Sequence, residues 1–134
     1  MLSRLLNPVD VSAHCDLPCG VYDPAQARIE AESVKMICQK YAGSDDEVFR
    51  TRAIVIKEER SELVKHHLWV LWTDYFKPPH FEKYPQLHQL FNEATKLAGG
   101  GGGTKASMDE SVADQLLAKT DEIATIFAET KKAA

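Results

Sequence analysis

Apolar residues recur three and four positions apart along most of the chain, the period of an amphipathic helix, and no stretch alternates convincingly with the two-residue period of a strand. Four helices are predicted. The first begins after Asp23, where Pro24 suits the first helical position and Gln26 completes a capping box; Val34, Ile37, Cys38 and Tyr41 form its stripe and Gly43 ends it. The second is capped by Ser44 with Glu47 three residues on, and runs to about Phe76, where Pro78-Pro79 forbids continuation. The third starts near Tyr84-Pro85 and carries Leu87, Leu90, Phe91, Ala94 and Leu97. The fourth is capped by Ser107 with Glu110, its stripe is Val112, Leu116, Ile123 and Phe127, and Lys131 and Lys132 suit its C-terminal end. Gly99 to Gly103 reads as a flexible, low-complexity loop. The pattern predicts an all-α chain, an antiparallel up-and-down four-helix bundle over residues 23–134, with residues 14–22 as a hook outside it.

Two charges interrupt the stripes. Heptad-like spacing on the second helix selects Phe49, Ala53, Ile56, Arg60, Leu63, His67, Val70 and Asp74, which places Arg60 on the seam. On the first helix the same spacing runs Glu30, Val34, Ile37, Tyr41. A buried charge is costly unless paired. Either Glu30 and Arg60 form a structural ion pair or reach out to water, or they support a site at the bundle end nearest the hook.

Composition narrows the function. With 44% hydrophobic and 27% charged residues the chain is ordinary for a globular protein. A net charge of −4 with scattered lysines argues against nucleic acid, and obliges an anionic substrate to find a local positive field. No apolar run approaches a membrane span. Three cysteines do not make a disulfide framework, and a reducing, cytoplasmic setting fits them better. Val11-Ser12-Ala13 has the small residues of a cleavage site, but the preceding segment lacks the apolar stretch of an export signal. Residues 1–13 are thus a short pro-segment or an unstructured N-terminus.

The chemistry concentrates in His14, Cys15 and Cys19, two thiols and an imidazole within six residues. These are soft-to-borderline donors that suit zinc, copper or nickel. Cys-x3-Cys is not the usual zinc spacing, and no second ligand pair follows; alone it is a weak signal. Adjacency strengthens it. A cut before His14 would free an α-amine next to the His14–Cys15 amide nitrogen, and amine, amide and two thiolates would make a square plane, the geometry of Ni(II) or Cu(II). Pro18 would stiffen the turn that returns Cys19 to the metal.

The run His14-Cys15-Asp16-Leu17-Pro18-Cys19-Gly20-Val21-Tyr22 resembles the nickel hook of the nickel superoxide dismutases throughout. The likeness continues from Asp23 through Ser33, returns in Val55-Ile56-Lys57-Glu58 and Lys65-His66-His67, and is strong from Asp74 through Pro85; the glycine loop and the early fourth helix diverge. The resemblance implies disproportionation of superoxide to oxygen and hydrogen peroxide by Ni(II)/Ni(III) cycling, with a nickel ion in each subunit. It implies that His14 supplies α-amine and axial imidazole, Cys15 its amide nitrogen and thiolate, and Cys19 the second thiolate. Glu30 would accept a hydrogen bond from the His14 ring, with Arg60 behind it. Tyr22 and Tyr75 would line the substrate approach, which Asp16 and Pro18 would shape. It further implies a cytoplasmic homohexamer, and removal of residues 1–13 by a maturation peptidase. As written, Ala13 locks the α-amine in a peptide bond, so the uncut chain lacks one donor.

The alternative is a non-catalytic metal-binding or metal-delivery bundle holding copper, zinc or nickel in the same hook. Other residues have plainer roles. Cys38 reads as a buried small hydrophobe. His66 and His67, being adjacent on a helix, do not face each other and read as core or interface residues. Trp69 and Trp72 share a face that suits a subunit interface or a packed core. Lys77 is either a solvated lysine or an aid to attracting superoxide.

Overall fold

A computed structural model of the chain describes residues 20–133. It contains α1 (Ala25–Ala42), α2 (Glu47–Val70), a short α3 (Pro78–Lys83), α4 (Leu87–Leu97) and α5 (Glu110–Lys132), and no strand among the described residues. The four long helices form a ring of neighbours: α1 packs on α2 and α5, and α4 packs on α2 and α5. Side-chain pairs give the direction. Arg28 meets Asp121, Lys35 meets Asp114 and Gln39 meets Glu110, so α1 and α5 run antiparallel. Glu30 with Arg60, and Tyr41 with Arg50, do the same for α1 and α2. This is the expected antiparallel bundle. Leu68, Leu87, Leu116 and Ile123 are fully buried at its centre, with Phe76, Phe91 and Phe127 around them.

The caps lie two residues beyond the serines that the sequence singled out. Asp46 Oδ1 accepts from the amides of Val48 and Phe49 at 2.9 and 3.3 Å, while Ser44 Oγ accepts from the Asp46 amide. The fourth predicted helix repeats this arrangement, with Asp109 capping Ser111 and Ser107 supporting Asp109. A carboxylate accepts more strongly than a hydroxyl, so it takes the helix end and leaves the serine to tighten the approach. The prolines that stop α2 also start α3, where a missing N–H costs nothing. That short helix was absent from the pattern because six residues hold too few apolar positions to show a period. The last turn of α2 opens into a π turn over Leu71–Tyr75, closed by Phe76 N donating to Leu71 O at 3.0 Å.

The buried face of α2 is rotated from the predicted seam. Ala53, Lys57, Ser61, Val64 and Leu68 face inward, whereas Ile56, Leu63 and Val70 are only partly covered. Lys57 and Ser61 hid this face from a search for apolar periodicity. Their partner is the glycine loop, which is not the flexible linker expected. Gly103 and Thr104 are buried. The Lys57 ammonium, 0% exposed, donates to the Thr104 carbonyl and pairs with Glu58 at 2.9 Å. Ser61 and Thr104 join hydroxyls at 2.8 Å, the Ala106 amide donates to Glu58, and Lys105 pairs with Glu62. Gly101 and Gly102 supply the positive φ values, 62° and 100°, that turn the chain back onto α2.

This clamp has a pH signature. Partial burial opposes the Glu58 charge, but hydrogen bonds from Lys57 and the Ala106 amide, with the Lys57 and Lys105 charges, hold its carboxyl below the usual range. The hydrogen bond from Lys105 does the same for Glu62. A carboxyl lowered in the folded state adds stability that is complete above its unfolded value and is lost as pH falls through the folded one. Stability should therefore decline below about pH 4.5. Thermal unfolding followed from pH 6 down to about pH 3 should show a shallower decline in Glu58→Gln than in the wild type. Equal slopes would mean that Glu58 is not a stabilising carboxylate.

Candidate metal centre

Residues 20–22 lead into the N-terminal end of α1, where the antiparallel arrangement also brings the last turns of α2 and α5. Asp23 Oδ1 accepts from the Ala25 amide at 2.8 Å and turns the chain into α1 over the buried Pro24. His14, Cys15, Asp16 and Cys19 lie outside the described residues. Among the described residues no three His, Cys, Asp or Glu side chains cluster as a metal site.

Of the sequence-derived site residues, Glu30 and Arg60 meet. Arg60 Nη1 donates to both carboxylate oxygens of Glu30 at 3.2 Å. The Glu30 side chain is only 15% exposed and that of Arg60 34%. A carboxylate offers about four acceptor positions, and Arg60 occupies two of those on Glu30. Glu30 can therefore accept a further donor while its charge stays balanced. The Arg60 Nε atom, by contrast, is buried and has no hydrogen-bond partner among the described residues.

Tyr22 and Tyr75 also meet, with ring centroids 5.6 Å apart. Tyr75 stands in the π turn, whose extra residue rotates it off the regular α2 face. Its ring stacks on His80 at 5.7 Å, packs on Phe127 at 4.4 Å and lies 5.2 Å from Lys131 Nζ. Its hydroxyl is 2.7 Å from Thr130 Oγ1. Lys77 is exposed nearby and spends its ammonium on the Asp74 carbonyl at 2.9 Å. Sequence reasoning did not single out Thr130 or the stacking role of His80, and read Lys131 only as a cation at a helix end. Thr130 follows Phe127 by one helical turn, so its inward position was legible, but its partner stands on another helix.

The remaining candidates fall where plain packing puts them. Cys38 is buried, and that burial pushes its thiol pKa up, which keeps it unreactive. His67 is buried, its pKa lowered by desolvation and then by the His66 charge. Trp69 and Trp72 remain exposed beside a cleft of about 330 Å3 that His88, Phe91, Asn92 and Thr95 complete.

A family model described as nickel-containing superoxide dismutase matches residues 9–131. The chain is 63% identical over 134 residues to the nickel superoxide dismutase of Streptomyces coelicolor, covering 99% of this chain and all of that one. It matches its counterpart in Streptomyces seoulensis to the same identity and extent. A solved native nickel superoxide dismutase superposes with a TM-score of 0.84 at 61% identity, over 89% of this chain and 99% of its own.

Proposed function

The chain belongs to the nickel-containing superoxide dismutases, and from that premise we propose how its own residues hold the metal and manage the substrate. It is an oxidoreductase that disproportionates superoxide to oxygen and hydrogen peroxide with nickel as cofactor. The observation that carries this reading is the family match across nearly the whole chain, hook included. It outweighs the metal-delivery alternative.

The donor chemistry fits the metal. His14, Cys15 and Cys19 provide an imidazole, an amide nitrogen and two thiolates, soft-to-borderline donors of the kind nickel takes. When bound, nickel supplies a one-electron couple that takes an electron from one superoxide and gives it to a second. His14 adds its α-amine once residues 1–13 are removed. The relatives match this chain over their whole length, whereas 89% of it accounts for 99% of a solved native chain, a difference that supports that cut. The thiols must lose their protons before they can bind, so assembly weakens as pH falls.

Glu30 accepts the ring N–H of His14 and keeps the imidazole in one orientation, while Arg60 holds Glu30 charged and in place. Tyr22 and Tyr75 form the walls of the approach, and Asp16 and Pro18 shape its mouth. Lys131 and Lys77 give this end local positive charge on a chain whose net charge is −4. The subunits assemble as a homohexamer, with the exposed Trp69 and Trp72 among the interface residues. The setting is cytoplasmic, which suits three cysteines that make no disulfide framework; no helix among the described residues is long and apolar enough to cross a membrane.

Dismutase activity of the nickel-loaded chain beginning at His14 tests the function. Replacing Cys15 or Cys19 with Ser should abolish it together with nickel retention. Glu30→Ala tests the support of His14: activity or nickel affinity should fall by about 10–100-fold with helix content unchanged. An undiminished Glu30→Ala enzyme would leave the ion pair with a structural role alone.

A further inference from the structure

Thr130 carries a single hydroxyl proton, and its oxygen stands between two others. It lies 2.6 Å from the Phe127 carbonyl and 2.7 Å from the Tyr75 hydroxyl. A carbonyl can only accept, so the short contact with Phe127 is made by the Thr130 proton. The Tyr75 hydroxyl must then be the donor to Thr130. The chain of donation runs from Tyr75 to Thr130 to the Phe127 carbonyl, inside the bundle, with Thr130 6% exposed. The Tyr75 ring has little freedom to escape this, being held by the His80 stack and by Phe127.

We propose that Thr130 is a positioning residue for the reaction, which turns Tyr75 into a hydrogen-bond acceptor at the substrate approach. This rests on the placement of Tyr75 along that approach. With its proton committed to Thr130, Tyr75 presents lone pairs to the approach. It holds a water by one proton and leaves the water's other proton for the incoming oxygen species. It does not donate to superoxide, which has no proton and can only accept. Tyr75 therefore disfavours tight binding of the anion and favours species that bring protons: water and neutral hydrogen peroxide.

The test compares Thr130→Val, Thr130→Ser and Tyr75→Phe with the wild type. Valine keeps the shape and removes the acceptor; serine restores the acceptor and checks that any effect is not one of folding. The first readout is independent of metal and activity. The Raman doublet of tyrosine reports whether a hydroxyl donates or accepts. The difference spectrum against Tyr75→Phe isolates Tyr75 from the other three of the four tyrosines. In the metal-free chain, Thr130→Val should remove the donor signature and Thr130→Ser should keep it. The second readout is inhibition of the nickel-loaded enzyme by azide, an acceptor-only anion. Thr130→Val frees the Tyr75 proton to face the approach, and should tighten azide binding about fivefold, the size of one net hydrogen bond. Serine should return it to the wild-type value.

An unchanged Tyr75 signature in Thr130→Val would overturn the proposal. So would a changed signature with unaltered azide inhibition in Thr130→Val, if Tyr75→Phe does alter it. If Tyr75→Phe leaves azide inhibition and activity untouched, Tyr75 is not on the approach, and the proposal fails with that placement.

Discussion

Loaded with nickel, the chain beginning at His14 should dismutate superoxide rapidly, and the uncut 134-residue chain should be slower by more than about 100-fold. The size follows from what the cut changes. Losing a group that merely supports a metal ligand costs about 10–100-fold. The uncut chain lacks a ligand itself, because the nitrogen of His14 is an amide bonded to Ala13, and that nitrogen would have to displace a carbonyl substituent to bind as an amine. The freed amine also places its lone pair, once deprotonated, at the start of the six residues that carry both thiols. Nickel content and activity should thus rise together on cutting. Metal uptake by the cut form should fall as pH is lowered, since two thiols and an amine must release protons. Equal activity in both forms would show that the α-amine is dispensable. Stoichiometric nickel without activity in the cut form would favour storage over turnover.

The second large effect is structural and lies in the glycine strap that closes over the middle of α2. Gly103→Ala should destabilise the chain by about 3–5 kcal/mol, the range of severe core changes. A Cβ at this position would stand 2.3 Å from the Gly99 carbonyl oxygen, 2.5 Å from that of Lys96 and 2.6 Å from that of Leu97. All three are backbone atoms at the end of α4 and its first exit residues, so no side chain can swing aside. The segment must lift. When it does, Thr104 leaves Lys57, and a fully buried ammonium loses its carbonyl partner. Gly100→Ala is the control: its Cβ would meet nothing within 4 Å, and its effect should be small. Chemical denaturation of the three chains decides the matter. Similar midpoints for Gly103→Ala and the wild type would show that the loop can rise off α2 without cost.

Both predictions depend on glycines and charges whose meaning differed in how openly it was written. The hook could be read directly, because its donors lie within six consecutive residues and chelation within so short a segment is a matter of local covalent geometry. The four long helices were legible for a similar reason: helical period is a short-range property, and Pro24, Gly43 and the Pro78-Pro79 pair mark ends that no tertiary contact can move. Pairing Glu30 with Arg60 was accessible too, since two charges on facing seams have few other partners.

What only the tertiary structure decided involves groups distant in sequence. The apolar pattern of α2 pointed to Ile56 and Leu63, yet Lys57 and Ser61 are the buried pair, because a carbonyl and a hydroxyl of Thr104, more than forty residues away, satisfy them. Five glycines in a row carry no side-chain information, so nothing local distinguishes a loose linker from a strap locked by close backbone approach. The donor role of the Tyr75 hydroxyl likewise emerges only when Thr130, one turn past Phe127, is seen to have already spent its proton. Local periodicity and covalent adjacency determined the helices and the metal donors; satisfaction of buried polar groups, which depends on partners from other helices, determined the strap and the orientation of the approach.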